Sequence, residues 1–346
     1  MTNRLSIIAT LGIVLSLVSN RFTRSQDLEE LSLLEAEQRI SQLEQSVAKL
    51  GHYRAHDPLP RVSREAVYCG YSFLFAKLDY QESFQAMVTD LSTGSLLLLP
   101  FEHNYELTPR AWLGYQASSG LGVRTTFWNF DHGGEGLSLV SGGGRFPSAT
   151  SATVIFPALI TAIVPGDRLV VATSLEATTL DLEGTYEAQL KKMELLVSGG
   201  IRYARADQQY HARVIGVIPA SLDWEREFEG IGPTLGATGR LPIGESGFYV
   251  TGNARLSFLF GEKTLTRRVV NDMSPNPTPP VVALNNADEV SGTYATGVGV
   301  GWRRHGKLLD SFAEATYESQ LWTAGGSPTL TFLGFNGLGL NLGVAF

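Results

Sequence analysis

Runs of strict alternation, nine residues or longer, constrain this chain more than any other feature. Thr178, Leu180, Leu182, Gly184, Tyr186, Ala188 and Leu190 alternate with Thr179, Asp181, Glu183, Thr185, Glu187 and Gln189. Positions 230–241, 248–258 and 312–321 repeat the pattern. At the end of the sequence Leu338, Leu340, Leu342, Val344 and Phe346 share one face, and Gly339, Asn341, Gly343 and Ala345 the other. A period of two is the period of a β-strand, whose side chains point to opposite faces in turn. Strands of soluble proteins are typically five or six residues long, whereas strands that cross a bilayer need roughly nine to eleven. The lengths therefore point to a closed antiparallel transmembrane β-barrel. Its apolar face meets lipid and its small and polar face lines the interior.

The spacing of these runs predicts ten strands, at about 67–79, 109–118, 121–130, 170–188, 193–206, 228–241, 247–260, 292–304, 310–322 and 333–346. Long connections (131–169, 207–227 and 261–291 among them) alternate with short ones such as Ser119-Gly120 and 189–192. Outer-membrane barrels combine an even strand count with short periplasmic turns and longer outer loops. Leu96 to Phe101 and Val154 to Val164 could add a hairpin, so twelve strands is the alternative. Aromatic residues at strand ends fit an interfacial girdle: Tyr71, Phe73, Trp112, Tyr115, Phe127, Trp128, Tyr249, Tyr294, Trp302, Tyr317, Trp322 and Phe346.

Composition narrows the alternatives. Charged residues make up 18% and hydrophobic residues 43% of the 346 positions, which excludes an intrinsically disordered chain. A net charge of -7 supplies no basic surface for nucleic acid. The single cysteine, Cys69, excludes an intramolecular disulfide and a cysteine-based zinc site. No motif calls for a cofactor or a metal.

Ahead of the barrel lie three short segments. Residues 1–25 read as a signal peptide, with Arg4 before the apolar run Leu5 to Val18; an uncleaved anchor is the alternative. In 26–51, Leu33, Ala36, Ile40, Leu43, Val47 and Leu50 follow heptad spacing. This segment is a periplasmic helix, either a short coiled coil or an amphipathic helix packed elsewhere; a homotrimer is one assembly the seam would support. Residues 52–65 form a linker, and 66–346 the barrel.

The segments Phe228-Glu-Gly-Ile-Gly-Pro-Thr-Leu-Gly-Ala-Thr-Gly-Arg-Leu-Pro-Ile-Gly and Gly247-Phe-Tyr-Val-Thr-Gly-Asn-Ala-Arg-Leu-Ser-Phe-Leu-Phe-Gly261 resemble the Legionella-type major outer membrane protein family. Arg110 to Tyr115, Leu180 to Glu183 and Gly337 to Phe346 look like its other strands. The resemblance covers about 66–346 and implies a pore-forming barrel of the bacterial outer membrane, surrounded by lipid. The terminal Leu342, Val344 and Phe346 also look like the signal read by the barrel-assembly machinery.

If the apolar residues face outward, Arg124, Asp181, Glu183, Glu187, Glu194, Arg202, Arg240, Arg255, Glu314 and Glu318 face inward, and Arg110 joins them. Arg124, Arg240 and Arg255 are expected to face Asp181, Glu183, Glu314 and Glu318 and to set ion selectivity. Ten strands make a narrow barrel, however, since eight leave room only for side chains or one small ligand. The function expected from the resemblance is a porin-like channel for passive diffusion of small solutes or ions; the alternative, from the strand count, is a closed barrel with a structural, adhesive or receptor role through its outer loops. Asp131 and Asp207 lie near His132 and His211 in sequence, and His103 is a third histidine of the outer rim. No Gly-x-Ser-x-Gly or His-Glu-x-x-His motif is present, so no catalytic residue is expected.

Overall fold

In the computed structural model the alternating segments are strands, and the strands close on themselves. The structure describes residues 65–80, 84–90, 95–100, 103–134, 136–141, 151–154, 160–162, 164–271, 281–306, 308–324 and 332–346. The expected signal peptide, the helix with its Leu33 to Leu50 seam and the linker lie outside these residues.

The strands are β1 (Ala66–Tyr80), β2 (Phe84–Asp90), β3 (Ser95–Pro100), β4 (Tyr105–Gln116), β5 (Leu121–Gly133), β6 (Leu137–Val140), β7 (Ser151–Val154), β8 (Ile160–Ala162), β9 (Arg168–Leu190), β10 (Met193–Ile215), β11 (Ala220–Pro242), β12 (Phe248–Asn271), β13 (Val281–Arg304), β14 (Asp310–Ala324) and β15 (Phe332–Ala345). Ten of them form the barrel in the order β1-β4-β5-β9-β10-β11-β12-β13-β14-β15, every pair antiparallel. β15 pairs back with β1, and Val67 and Phe346 exchange both backbone hydrogen bonds at the seam. Closure satisfies every strand on both sides and leaves no edge.

The ladder fixes the dimensions. From Ser72 the directly opposed residues are Arg110, Trp128, Thr179, Ala204, Gly230, Gly261 and Glu289. Carried on in register across β14 and β15, the same path meets the line of β1 at position 84, a stagger of twelve residues. Ten strands with that stagger, at ~4.8 Å between strands and ~3.3 Å per residue, give a tilt of about 40° and a backbone radius of about 10 Å.

Side-chain direction follows the sequence alternation. Leu180, Leu182 and Tyr186 of β9, Ile231 and Leu235 of β11, Val250 and Phe258 of β12, and Leu338, Leu340, Leu342 and Phe346 at the end of the chain are exposed on the outside. Val344 lies between Leu342 and Phe346 on the same face, half-buried. On β12 the apolar band runs from Phe248 to Phe260, about 30 Å along the axis at that tilt, close to the ~25 Å band of an outer-membrane barrel.

Three expectations need correction. Residues 207–227 and 261–291 are mostly strand, because β10 and β11 continue to a turn at 216–219 and β12 and β13 run on to Asn271 and from Val281. Beyond the apolar band the outward positions become polar, as at Arg205, Glu229, Glu262 and Asp288, which are level with one another. The outward apolar face stops there while hydrogen bonding does not, so the strands extend past their lipid-facing signal. The candidates for an eleventh and twelfth strand do form strands, yet not in the barrel wall: β3-β2-β7-β8 is a separate four-stranded sheet, and β6 pairs with β9. The girdle is also smaller than expected. Trp112, Trp128, Tyr249 and Trp322 point into the barrel, whereas Tyr71, Phe73, Tyr115, Phe127, Tyr294, Trp302, Tyr317 and Phe346 are exposed. Position along a strand does not reveal which face a lone aromatic takes.

The middle of β11 depends on small residues. The β11–β12 ladder skips Gly232 and Pro233, where proline has no N–H to give. A Cβ on Gly232 would sit 1.8 Å from the carbonyl oxygen of Phe258. Gly232→Val is therefore expected to prevent barrel closure, seen as loss of the heat-modifiable folded band on gels; a fully folded variant would contradict this.

Candidate functional site: the barrel interior

All the predicted interior charges point inward, and most meet in ion pairs. On β9, Asp181 and Glu183 are buried two residues apart. Arg202 clamps Asp181 with Nε–Oδ1 at 2.6 Å and Nη2–Oδ2 at 2.8 Å, and donates to Thr293 Oγ1 at 3.1 Å. Arg255 spans both carboxylates, bonding Asp181 through Nη1 and Glu183 Oε2 through Nη2 at 3.1 Å. Arg124 donates to Glu183 Oε2 from Nη2 at 2.8 Å, and Ser198 donates to Oε1 at 3.0 Å. Such pairing is required, because breaking a buried pair typically costs ~3–5 kcal/mol.

A second group lies nearer the short-turn end. Arg240 Nε meets Glu314 Oε1 at 3.0 Å, and the Tyr249 hydroxyl donates to the same oxygen at 2.8 Å. Arg303 forms a two-bond pair with Glu194 at 3.0 and 2.9 Å. Arg110 meets Glu318 at 2.8 Å. Glu187 is the exception among these residues: it makes no ion pair among the described residues, and its charged neighbours are Glu194, Arg240 and Arg303. The expected acidic and basic sides are thus not separate walls across a water column, since their members bond directly.

Apart from the fully buried Glu183, these charged groups line a cavity of about 860 Å³ that reaches Glu65, Asp310 and Phe346 at the short-turn end. Toward the loop end it stops at aromatic side chains. Trp128 lies 5.5 Å from Phe335 and 6.3 Å from Trp322 between ring centres, and Phe130 is 4.9 Å from Phe335. Leu74, Leu78, Leu175, Phe228 and Leu259 complete this layer from the other strands, all nearly fully buried. Across a lumen about 20 Å between backbones, side chains from opposite walls fill the section. Above it Glu289 is paired with Arg226 and Lys263, each at 2.8 Å. A second apolar cluster follows, where Ile160 and Ala162 of β8 and Leu139 of β6 pack on Leu169, Val171, Tyr210, Ala212, Leu222 and Trp224. Aromatic chemistry suits a girdle equally well, but strand parity carries the signal: Trp128 shares the face of Arg124, and Trp322 that of Glu314 and Glu318.

The histidines form different pairs from those the sequence suggested. His132 faces inward against His103, with ring centres 5.1 Å apart, and its carboxylate neighbour is Glu106 at 3.4 Å. Asp131, one position along the strand, points outward. His211 bonds Asp223 at 2.9 Å, the residue opposite it being on β11, and not Asp207. Among the described residues no group of three or more His, Cys, Asp or Glu is placed to hold a metal ion. Burial, with His132 and Lys77 nearby, pulls His103 down to about 4. An unfolded histidine titrates near 6.5, so between the two values the unfolded chain binds the extra proton. Stability from this site is full above pH ~6.5 and is lost as the pH falls toward 4. His103→Gln is expected to flatten that part of the denaturation profile; an unchanged profile would refute the assignment.

Several proteins are similar in part. The outer membrane protease OmpT from Escherichia coli is 12% identical with a TM-score of 0.44, covering 84% of this chain and 99% of that one. The Ralstonia pickettii toluene transporter TbuX is 9% identical with a TM-score of 0.29, over 81% and 88%. The translocator domain of the autotransporter NalP from Neisseria meningitidis is 8% identical with a TM-score of 0.25, over 92% and 99%. At such scores the likeness says nothing about activity. No curated protein matches the chain. The family described as Legionella pneumophila major outer membrane protein precursor, in contrast, matches residues 65–323, three quarters of the sequence, and the chain belongs to this family of outer-membrane β-barrels.

Proposed function

We propose that this outer-membrane barrel is closed to passive diffusion at rest, and that its role is structural, adhesive or receptor-like, exercised at its loop end. The observation that carries this reading is the layer of Trp128, Phe130, Trp322 and Phe335 across a lumen of about 10 Å backbone radius. By the usual orientation of such barrels the short turns and the β1–β15 seam face the periplasm. The cavity then opens to the periplasm and the aromatic layer separates it from the outside.

Catalysis has little to rest on. Beside the buried His132, the partly exposed Glu106 lies at 3.4 Å, and no nucleophile motif accompanies the pair. The expected partners remain membrane lipid and the assembly machinery, with a homotrimer through the N-terminal segment as a further proposal.

Purified, refolded protein in a planar bilayer is expected to be electrically silent. The Trp128→Ala/Trp322→Ala double variant is expected to show discrete openings, because it removes both indoles from the layer. Stable ohmic steps from the unaltered protein would overturn the closed reading.

Porin-like conduction is the second reading, favoured by the polar cavity of about 860 Å³. It requires the aromatic layer to move aside. On that reading, replacing Arg124, Arg240 and Arg255 with glutamine raises cation preference, because their carboxylate partners keep their charge. An unchanged reversal potential would remove these arginines from any selectivity role.

A further inference from the structure

The charges of the two groups inside the cavity cancel in sum, but not level by level, while Glu65 and Asp310 add negative charge at the rim. At its deep end three guanidinium groups, Arg124, Arg202 and Arg255, surround two carboxylates, Asp181 and Glu183, leaving one positive charge in excess. Arg124 and Arg255 keep 16% and 18% of their side chains accessible, and both line the cavity. Nearer the mouth, Glu187, Glu194 and Glu314 face Arg240 and Arg303. The excess there is one negative charge, and it falls on Glu187, the carboxylate without an ion pair. Arg110 and Glu318 neutralise each other and change neither sum. Glu65, His305 and Asp310 stand at the rim, beyond both groups.

The separation of the two excess charges selects among ligands. Arg124 is level with Glu183 in the ladder, and Glu187 is four residues farther along the same strand. At ~3.3 Å per residue the backbone positions of the two ends are about 13 Å apart. An α-amino acid is far too short to reach both ends. An extended chain of three or four residues spans roughly 10–14 Å at ~3.3–3.6 Å per residue. The wall between the two ends carries Thr238, Thr251 and Asn253, which offer hydrogen-bond partners to peptide groups. A cavity of about 860 Å³ accommodates a molecule of that size.

We propose that the periplasmic cavity binds a short linear peptide, or a zwitterion of similar length, with its carboxylate at Arg124 and Arg255 and its ammonium group at Glu187. This goes beyond the closed-barrel reading and does not depend on it, because the cavity opens toward the periplasm whether or not the aromatic layer moves.

The test uses refolded full-length protein in detergent and isothermal titration with three probes: tetraglycine, N-acetyl-tetraglycine and tetraglycine amide. Tetraglycine is expected to bind tightest, and each cap to weaken binding about tenfold, the effect of losing roughly 1.4 kcal/mol. Glu187→Gln should make tetraglycine and its N-acetyl form bind alike while discrimination against the amide persists. Arg255→Gln should erase discrimination against the amide. Arg255 belongs to the buried network and its variant can fail to fold, whereas Glu187 has no ion pair to lose. The comparison of the three probes on unaltered protein needs no variant at all. Equal binding of all three, or no binding of tetraglycine at ~10 mM, overturns the proposal.

Discussion

Closure of the hydrogen-bonded ladder is the constraint on which the rest of the structure depends. In hydrocarbon every backbone N–H and C=O needs a partner within the protein, and only a ring of strands gives each strand two neighbours. With ten strands and a stagger of twelve, the radius follows from the spacing of the backbone alone. That radius, in turn, decides what the interior can be. Side chains from opposite walls come within reach of each other, so inward charges meet and inward aromatics stack.

The interior accordingly alternates in character along the axis. The Arg240–Glu314 and Arg303–Glu194 pairs come first, then the Asp181–Glu183 cluster, then the Trp128–Phe335 layer, then Glu289 with its two cations, and last the cluster around Trp224. Polar layers keep the buried charges paired, and apolar layers exclude water. Trp128 and Trp322 retain buried indole nitrogens without hydrogen-bond partners. An unsatisfied buried donor typically costs ~1–3 kcal/mol, so the aromatic layer carries two such costs.

Much of this was legible in the sequence. The alternation of β9, β12 and β15 gave strand, face and membrane character together, because one face had to meet lipid and the other did not. The inward direction of Asp181, Glu183, Arg240 and Arg255 followed from the same count. What the pattern could not carry was information from the far side of the barrel. Nothing near Arg255 in sequence announces that it bridges Asp181 and Glu183, a pairing made by closure. Trp128 and Trp322 looked like girdle residues because aromatic chemistry suits both an interface and a packed layer. The outer ends of β10 to β13 look like loops in the sequence because the outward positions turn polar, and on β10 and β11 the apolar residues change to the inward face, as at Tyr210, Ala212, Leu222 and Trp224, while the ladder continues.

The seam between β1 and β15 sets Tyr68 opposite Ala345, so the contact that completes the ring joins the two most distant parts of the barrel sequence. Contacts of long sequence separation slow folding, since chain entropy is lost before any bonding is gained. Until that seam forms, both strands expose an unsatisfied edge, and an open edge invites pairing with another chain. A chain of this design is therefore most vulnerable to aggregation just before its first and last strands pair.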